Sequence, residues 1–282
     1  MAGEDLPGLS GDWSCGLISA VMNDRSSLQP DLLRWSEFNA AVLIAVTLAT
    51  ASGLPIWLLS CCGFVSFSLL LYRCRRRWTP VGRFGLANAV SLLRLSGAIV
   101  LPWLAPAQVA CAGLILLAMD GVDGWIARRC GLSGEFGEYF DKEGDAFFML
   151  MLCVLLYRLP HGLGPWILLP GLLRYLFVLF IKVARPPQLK EQRTAMAGWI
   201  SVFMMLTLLC SFAAYPGDLD YCRPVAGLMT LMLAYSFAES LHLIYRGPHR
   251  LGSQILTVAR RAVWLRGERL KDGTGPANPT GG

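Results

Sequence analysis

The sequence predicts an all-α fold: a polytopic membrane helical bundle with a six-helix core, preceded by an extra N-terminal transmembrane hairpin. Three observations predict it. Of 282 residues, 55% are hydrophobic and only 16% charged, which is too apolar for a soluble domain. The apolar residues come in long blocks, as spans of about 20 residues require. Basic clusters punctuate those blocks: Arg73, Arg75, Arg76 and Arg77 close an early one, and Arg185, Lys190 and Arg193 follow a later one. The net charge of +6 is thus spread over loops, which suits a membrane protein rather than a nucleic-acid binder. Membrane lipids are expected partners and nucleic acid is not.

Taken in order, residues 1–36 are polar and mixed, with Pro7, Gly8, Gly11 and Pro30. They read as a loosely ordered cytoplasmic segment with a short surface helix near Leu17 to Met22. No charged run precedes an apolar core there, so no cleavable signal peptide is expected. Residues 37–73 hold the extra hairpin. Phe38 to Tyr72 is nearly uncharged and too long for one span, and Gly53, Leu54 and Pro55 break it in the middle, one long tilted helix with a kink being the alternative. Residues 79–246 hold the six-span core. After a short interfacial stretch from Thr79 to Ala87, spans run from Asn88 to Leu104, from Gln108 into an acidic motif, and from that motif to Arg158. Three more run from Pro165 to Val183, Thr194 to Tyr215 and Cys222 to Tyr245.

The turns near Ala105, Leu159 and Asp218 are poor in basic residues, whereas the opposite loops are rich in them. The positive-inside rule then places the acidic motif and both termini on the cytoplasmic side, in a bacterial inner membrane or its equivalent. Residues 250–282 form the tail. Leu251 to Leu270 reads as a basic amphipathic helix suited to anionic headgroups. Asp272 to Gly282 is rich in Gly and Pro and reads as disordered. The nine cysteines form no C-x2-C pair and have no histidine at metal spacing, so neither a structural disulfide nor a zinc site is expected.

The chemistry lies between Asp120 and Asp145, in DGVDGWIARRCGLSGEFGEYFDKEGD. The spacing is D-x2-D-G-x2-A-R-x8-G-x3-D-x3-D. Residues three or four apart share a helix face. Asp120 and Asp123 therefore project together at the end of one helix, with Gly124 and Ala127 a turn further on. Gly137, Asp141 and Asp145 line one stripe of the next. A short loop around Cys130 to Glu135 folds the two helices antiparallel, and four carboxylates meet across one cleft. Like charges that close repel unless cations neutralise them. An oxygen-only cluster suits Mg²⁺, Mn²⁺ or Ca²⁺ and not zinc. Asn88, Ser91 and Arg94 share a face of the preceding span. Arg94 is an ionisable residue inside a span, which marks it as functional unless it snorkels to the interface. Arg174 lies roughly 12 Å inside Lys182 along its helix, so it should face a polar cavity.

This motif resembles the signature of the CDP-alcohol phosphotransferase family, also called CDP-alcohol phosphatidyltransferases. Asp120, Asp123, Gly124, Ala127, Arg128, Gly137, Asp141 and Asp145 fill all eight of its positions. The Asn88-Ser91-Arg94 run resembles the family's Asn-x2-Thr-x2-Arg, with serine keeping the hydroxyl. The resemblance implies an enzyme of phospholipid synthesis with a six-span catalytic core. It would transfer a substituted phosphoryl group from a CDP-alcohol, as from CDP-diacylglycerol, to a second alcohol and release CMP. It implies that Asp120, Asp123 and Asp141 hold Mg²⁺ or Mn²⁺, as two ions per site. Asp145 would be the base and a further ligand. Gly124, Ala127, Gly137 and Asn88 would receive the CDP-alcohol, and Arg128 would pair with phosphate oxygens or neighbouring carboxylates. A homodimer is implied as well. For the acceptor, Arg174, Lys190 and Arg193 offer a basic pocket suited to glycerol 3-phosphate or an inositol phosphate, although Lys190 and Arg193 also fit as plain positive-inside charges.

Two other readings share some of these features. A polytopic Mg²⁺-dependent prenyltransferase needs a second acidic motif, and the acids after Asp145 (Glu191, Asp218, Asp220 and Glu239) form none. An ion transporter needs ionisable residues near the bilayer midplane, whereas these aspartates cluster toward one face.

Overall fold

The computed structural model describes residues 12–75, 78, 84–130, 135–184, 195–217 and 219–246, with side chains described outside 12–30, 87, 122–130, 135, 195–196 and 243–246. The described residues contain helices and no strand. The helices are α1 (Asp12–Ala51), α2 (Trp57–Arg73), α3 (Leu86–Val100), α4 (Pro106–Cys130), α5 (Glu135–Arg158), α6 (Leu168–Ala184), α7 (Ala195–Ala214) and α8 (Cys222–Arg246). Single 3₁₀ turns, Leu101–Trp103 and Pro165–Ile167, follow α3 and precede α6. The chain divides into two compact units, Met1–Ala184 with Arg193–Phe237, and Arg185–Gln192 with Ala238–Gly282. In the second, the described residues are 238–246, the C-terminal end of α8.

Four segments among the described residues are long and apolar enough to cross a membrane: Asp31–Ala51, Pro165–Ala184, Ala197–Ala214 and Cys222–His242. Shorter apolar helices run over Trp57–Arg73, Asn88–Trp103 and Pro106–Gly121. Large apolar side chains such as Phe64, Leu93, Ile115 and Leu231 are left exposed. Such a surface suits lipid and not water. The protein is a multi-pass membrane protein of the all-α bundle class.

Helix α5 is the centre of the first unit. Every residue from Ala146 to Val154 is buried, as in a helix that is apolar all round and enclosed by neighbours. It packs against α1, α3, α6 and α7. The hairpin α1–α2 is stitched along its length. Phe67 of α2 meets Trp35, Phe140 and Phe147 edge-on, with ring centroids 5.4, 6.0 and 5.7 Å apart. The Tyr139 hydroxyl donates to Leu32 O at 3.1 Å, and Arg158 Nη1 donates to Thr50 O at 3.0 Å, satisfying a carbonyl in the last turn of α1. The turn between α1 and α2 falls at Ser52 to Ile56, where Gly53 adopts φ 120°.

Residues 12–35, read from the sequence as loosely ordered, are helical and continue without a break through Pro30. From Leu32 onward the reason lies in packing and not in hydropathy. Leu32, Trp35, Ser36, Asn39, Ala40 and Leu43 are buried at spacings of three and four. Tertiary burial of such a face sustains a helix that propensity alone would not. Two of those six positions are polar, which hides the stripe from a search for apolar runs. The N-terminal residues 1–11, the amphipathic segment Leu251 to Leu270 and the tail Asp272 to Gly282 lie outside the described residues.

Helix α6 approaches α5 closely because position 171 is glycine. A Cβ there would lie 2.8 Å from the Leu150 Cα, a backbone atom that cannot swing aside. Gly171→Ala should therefore lower stability by about 1–3 kcal/mol, read as a lower thermal midpoint in detergent. Gly227→Ala on α8, where a Cβ meets nothing within 4 Å, should leave that midpoint unchanged or raise it, since alanine favours the helix.

Candidate active site

Two helices bring acids to one cleft. Asp120 comes from α4, near the end of its apolar part, and Asp141 and Asp145 come from successive turns of α5. One carboxylate oxygen from each lies within 4.8 Å of the others. From α3, the Arg94 guanidinium reaches all three. Its Nη1 donates to Asp120, and its Nη2 donates to Asp145 and, at 2.7 Å, to Asp141. Ser91, one turn earlier on α3, adds a side-chain hydrogen bond to Asp141. The Arg94 side chain is 3% exposed, whereas those of Asp120, Asp141 and Asp145 are 31, 34 and 27% exposed. The arginine thus lies beneath the acids, and the acids keep an open face. It turns inward onto them rather than outward to the interface.

The guanidinium offsets only part of the carboxylate charge, so the open face stays electronegative. The described donor set there is wholly oxygen, which fits hard divalent cations such as Mg²⁺ or Mn²⁺. Gly137 packs closely against α3. A Cβ there would come 2.6 Å from Asn88 Oδ1, so glycine lets α3 and α5 close up beside the acids. Asn88 is itself buried and donates from Nδ2 to Trp78 O at 3.3 Å. The backbones of Asp123, Gly124, Ala127 and Arg128 continue α4, but their side chains lie outside the described residues. So do Lys190 and Arg193.

A cavity of about 420 Å³ opens beside the acids, lined by Asp120 and Asp145 and by residues of α5 to α8, among them Arg174, Trp199, Ser201 and Met205. Arg174 therefore shares one cavity with two of the motif aspartates, as its depth in the span had suggested. Its Nη2 donates to Glu143 Oε1 at 3.0 Å. Glu143 went unremarked in the sequence, where it reads as filler between Asp141 and Asp145. The signal was available: an arginine deep in a span calls for an acid, and Glu143 is the acid between Asp141 and Asp145 that the signature does not use.

A membrane helical bundle with an acidic cleft against a mixed polar and apolar cavity is the class of integral-membrane protein that the fold and site define. The chain belongs to the CDP-alcohol phosphatidyltransferase family, whose model matches residues 84–239. The match begins just before α3 and ends within α8, so α1 and α2 precede it. No solved structure matches the chain. Membership makes the protein a transferase of substituted phosphate groups in phospholipid biosynthesis, using a CDP-alcohol and an alcohol acceptor. The family is generally dependent on divalent metal, and the aspartate cluster accords with that.

Replacing Arg94 tests the electrostatics directly. Arg94→Gln removes the positive charge beneath three acids and should lower the thermal midpoint of metal-free protein, since breaking a buried ion network costs about 3–5 kcal/mol. Added Mn²⁺ should then raise the midpoint further in the variant than in the wild-type protein.

Proposed function

We propose that the protein transfers a phosphatidyl group from CDP-diacylglycerol to a phosphorylated alcohol of the glycerol 3-phosphate or inositol phosphate type, releasing CMP. The observation that supports this most is the shared cavity. The motif acids Asp120 and Asp145 line one part of it and an arginine, Arg174, another, so a hydroxyl and an anionic group of one small acceptor can be received together. Lys190 and Arg193 are the further basic residues proposed to serve the anionic acceptor.

In this reading Asp120, Asp123, Asp141 and Asp145 would hold two Mg²⁺ or Mn²⁺ ions. When bound, these would neutralise charge developing on the diphosphate oxygens. Gly124, Ala127, Gly137 and Asn88 bound the cytidine side, and Arg128 meets phosphate oxygens. Asp145 takes the proton of the acceptor hydroxyl. The acceptor oxygen then bonds to the phosphorus that carries diacylglycerol, and the bond from that phosphorus to the bridging oxygen breaks. CMP leaves with the electron pair, and the product is a phosphodiester lipid. Arg94, beneath the acids, keeps them convergent and sets how much charge the cations must supply.

The organisation that goes with this is a catalytic core at residues 79–246, preceded by a segment at 1–36 and a hairpin at 37–73 and followed by a basic tail at 250–282. The basic loops favour a cytoplasmic active site and cytoplasmic termini in a bacterial inner membrane or its equivalent. A homodimer is the expected assembly.

The test is incubation of purified protein with labelled CDP-diacylglycerol, Mg²⁺ or Mn²⁺ and a panel of alcohols, following CMP. Release that depends on one phosphorylated acceptor is expected. Asp145→Asn should keep cytidine-nucleotide binding and lose turnover by at least about 10²-fold; wild-type turnover in that variant would remove Asp145 as the base.

A further inference from the structure

Glu143 sits two residues from both Asp141 and Asp145. Two residues turn a helix by about 200°, so Glu143 points away from the aspartate cluster, toward α1 and α6. It is fully buried. Its Oε1 receives two hydrogen bonds, from Arg174 Nη2 of α6 at 3.0 Å and from the Ser36 hydroxyl of α1 at 3.2 Å. Its Oε2 finds no hydrogen-bond partner among the described residues. Stability does not explain such a group. A buried ion pair is often no better than an apolar packing of the same volume, and a half-satisfied carboxylate is worse. The pair calls for another role, and the cavity supplies it, because Arg174 also lines that space.

We infer that Glu143 is a positioning residue: held by Ser36 of α1, it fixes the Arg174 guanidinium at the cavity wall, where the anionic group of the acceptor is received. The inference rests on the acceptor reading given above. Asp120 and Asp145 line the same cavity. An arginine without its own carboxylate would be drawn across the cavity onto theirs, closing the space the acceptor needs. Glu143 holds it back. It also removes, before binding, the rotamer freedom that a long side chain would otherwise lose on meeting a phosphate. Planar, forked donors on a fixed guanidinium suit a phosphate dianion. The consequence for the chain is that α1, which precedes the family-matched segment, contributes to acceptor binding through Ser36.

The experiment is steady-state CMP release by the full-length protein in detergent, with CDP-diacylglycerol as donor and glycerol 3-phosphate or inositol 1-phosphate as acceptor. Wild type is compared with Arg174→Gln, Glu143→Gln, Glu143→Asp and Ser36→Ala. Arg174→Gln and Glu143→Gln should each raise the acceptor KM by about tenfold or more, the loss expected for one charge-assisted hydrogen bond, with the donor KM unchanged. Glu143→Asp should recover part of that loss, and Ser36→Ala should show a smaller rise of the same kind. If Arg174→Gln raises the acceptor KM and Glu143→Gln does not, the positioning role is overturned and the acceptor site stands. If Arg174→Gln has no effect, or the wild-type protein uses neither acceptor, the acceptor reading itself fails. A rise in donor KM in place of acceptor KM overturns the inference by moving the pair to the donor. Should Glu143→Gln fail to fold, Ser36→Ala decides alone: a raised acceptor KM supports the role and an unchanged one overturns it.

Discussion

The interaction on which the rest of the structure depends is the Arg94 guanidinium beneath Asp120, Asp141 and Asp145. It joins three helices at one point. Without a buried cation there, three carboxylates with oxygens within 4.8 Å of one another would drive α4 and α5 apart. With it, the helices converge, Gly137 admits Asn88 beside the acids, and the acids present an open face. Arg94 compensates only part of their charge, so the cleft is stable enough to fold and still electronegative enough to attract a divalent cation.

Helix α5 carries two ionic networks on opposite sides. Asp141 and Asp145 face Arg94 on α3; Glu143 between them faces Arg174 on α6 and Ser36 on α1. Both networks border one cavity, because Arg174 lines it together with Asp120 and Asp145. The helices before the family-matched segment are therefore tied to the site as well as to the bundle. Trp35, Phe67 and Asn39 bind α1 to α2, with Ser66 Oγ to Asn39 Oδ1 at 2.7 Å, and Phe67 binds the pair to Phe140 and Phe147 of α5. A site built this way is rigid on the side of α5, where every residue from Ala146 to Val154 is enclosed.

Much of this was legible in the sequence, and for local reasons. The aspartates stand at helical spacings, so their common face followed from 3.6 residues per turn, and Gly53, Leu54 and Pro55 marked the hairpin turn. The depth of Arg174 in an apolar run announced a cavity. What could not be read depended on partners far along the chain. Whether Arg94 snorkels or turns inward is decided by the acids of α4 and α5 across from it, and nothing within its own helix specifies that. Glu143 was masked by the acids on either side, since its different direction becomes visible only when α1 and α6 are in place. The helix around Phe38 was hidden because its buried face includes Ser36 and Asn39, whose side-chain oxygens take part in tertiary hydrogen bonds that hydropathy cannot anticipate.

As proposed, the aspartate cluster holds a divalent cation and works together with a cytidine nucleotide. Calorimetric titration of the purified protein with Mn²⁺, with and without CDP, tests it most directly. Saturable Mn²⁺ binding is expected, tighter when CDP is present and lost in Asp141→Asn. Binding that is absent from the wild-type protein under both conditions, or that persists unaltered in Asp141→Asn, would contradict it.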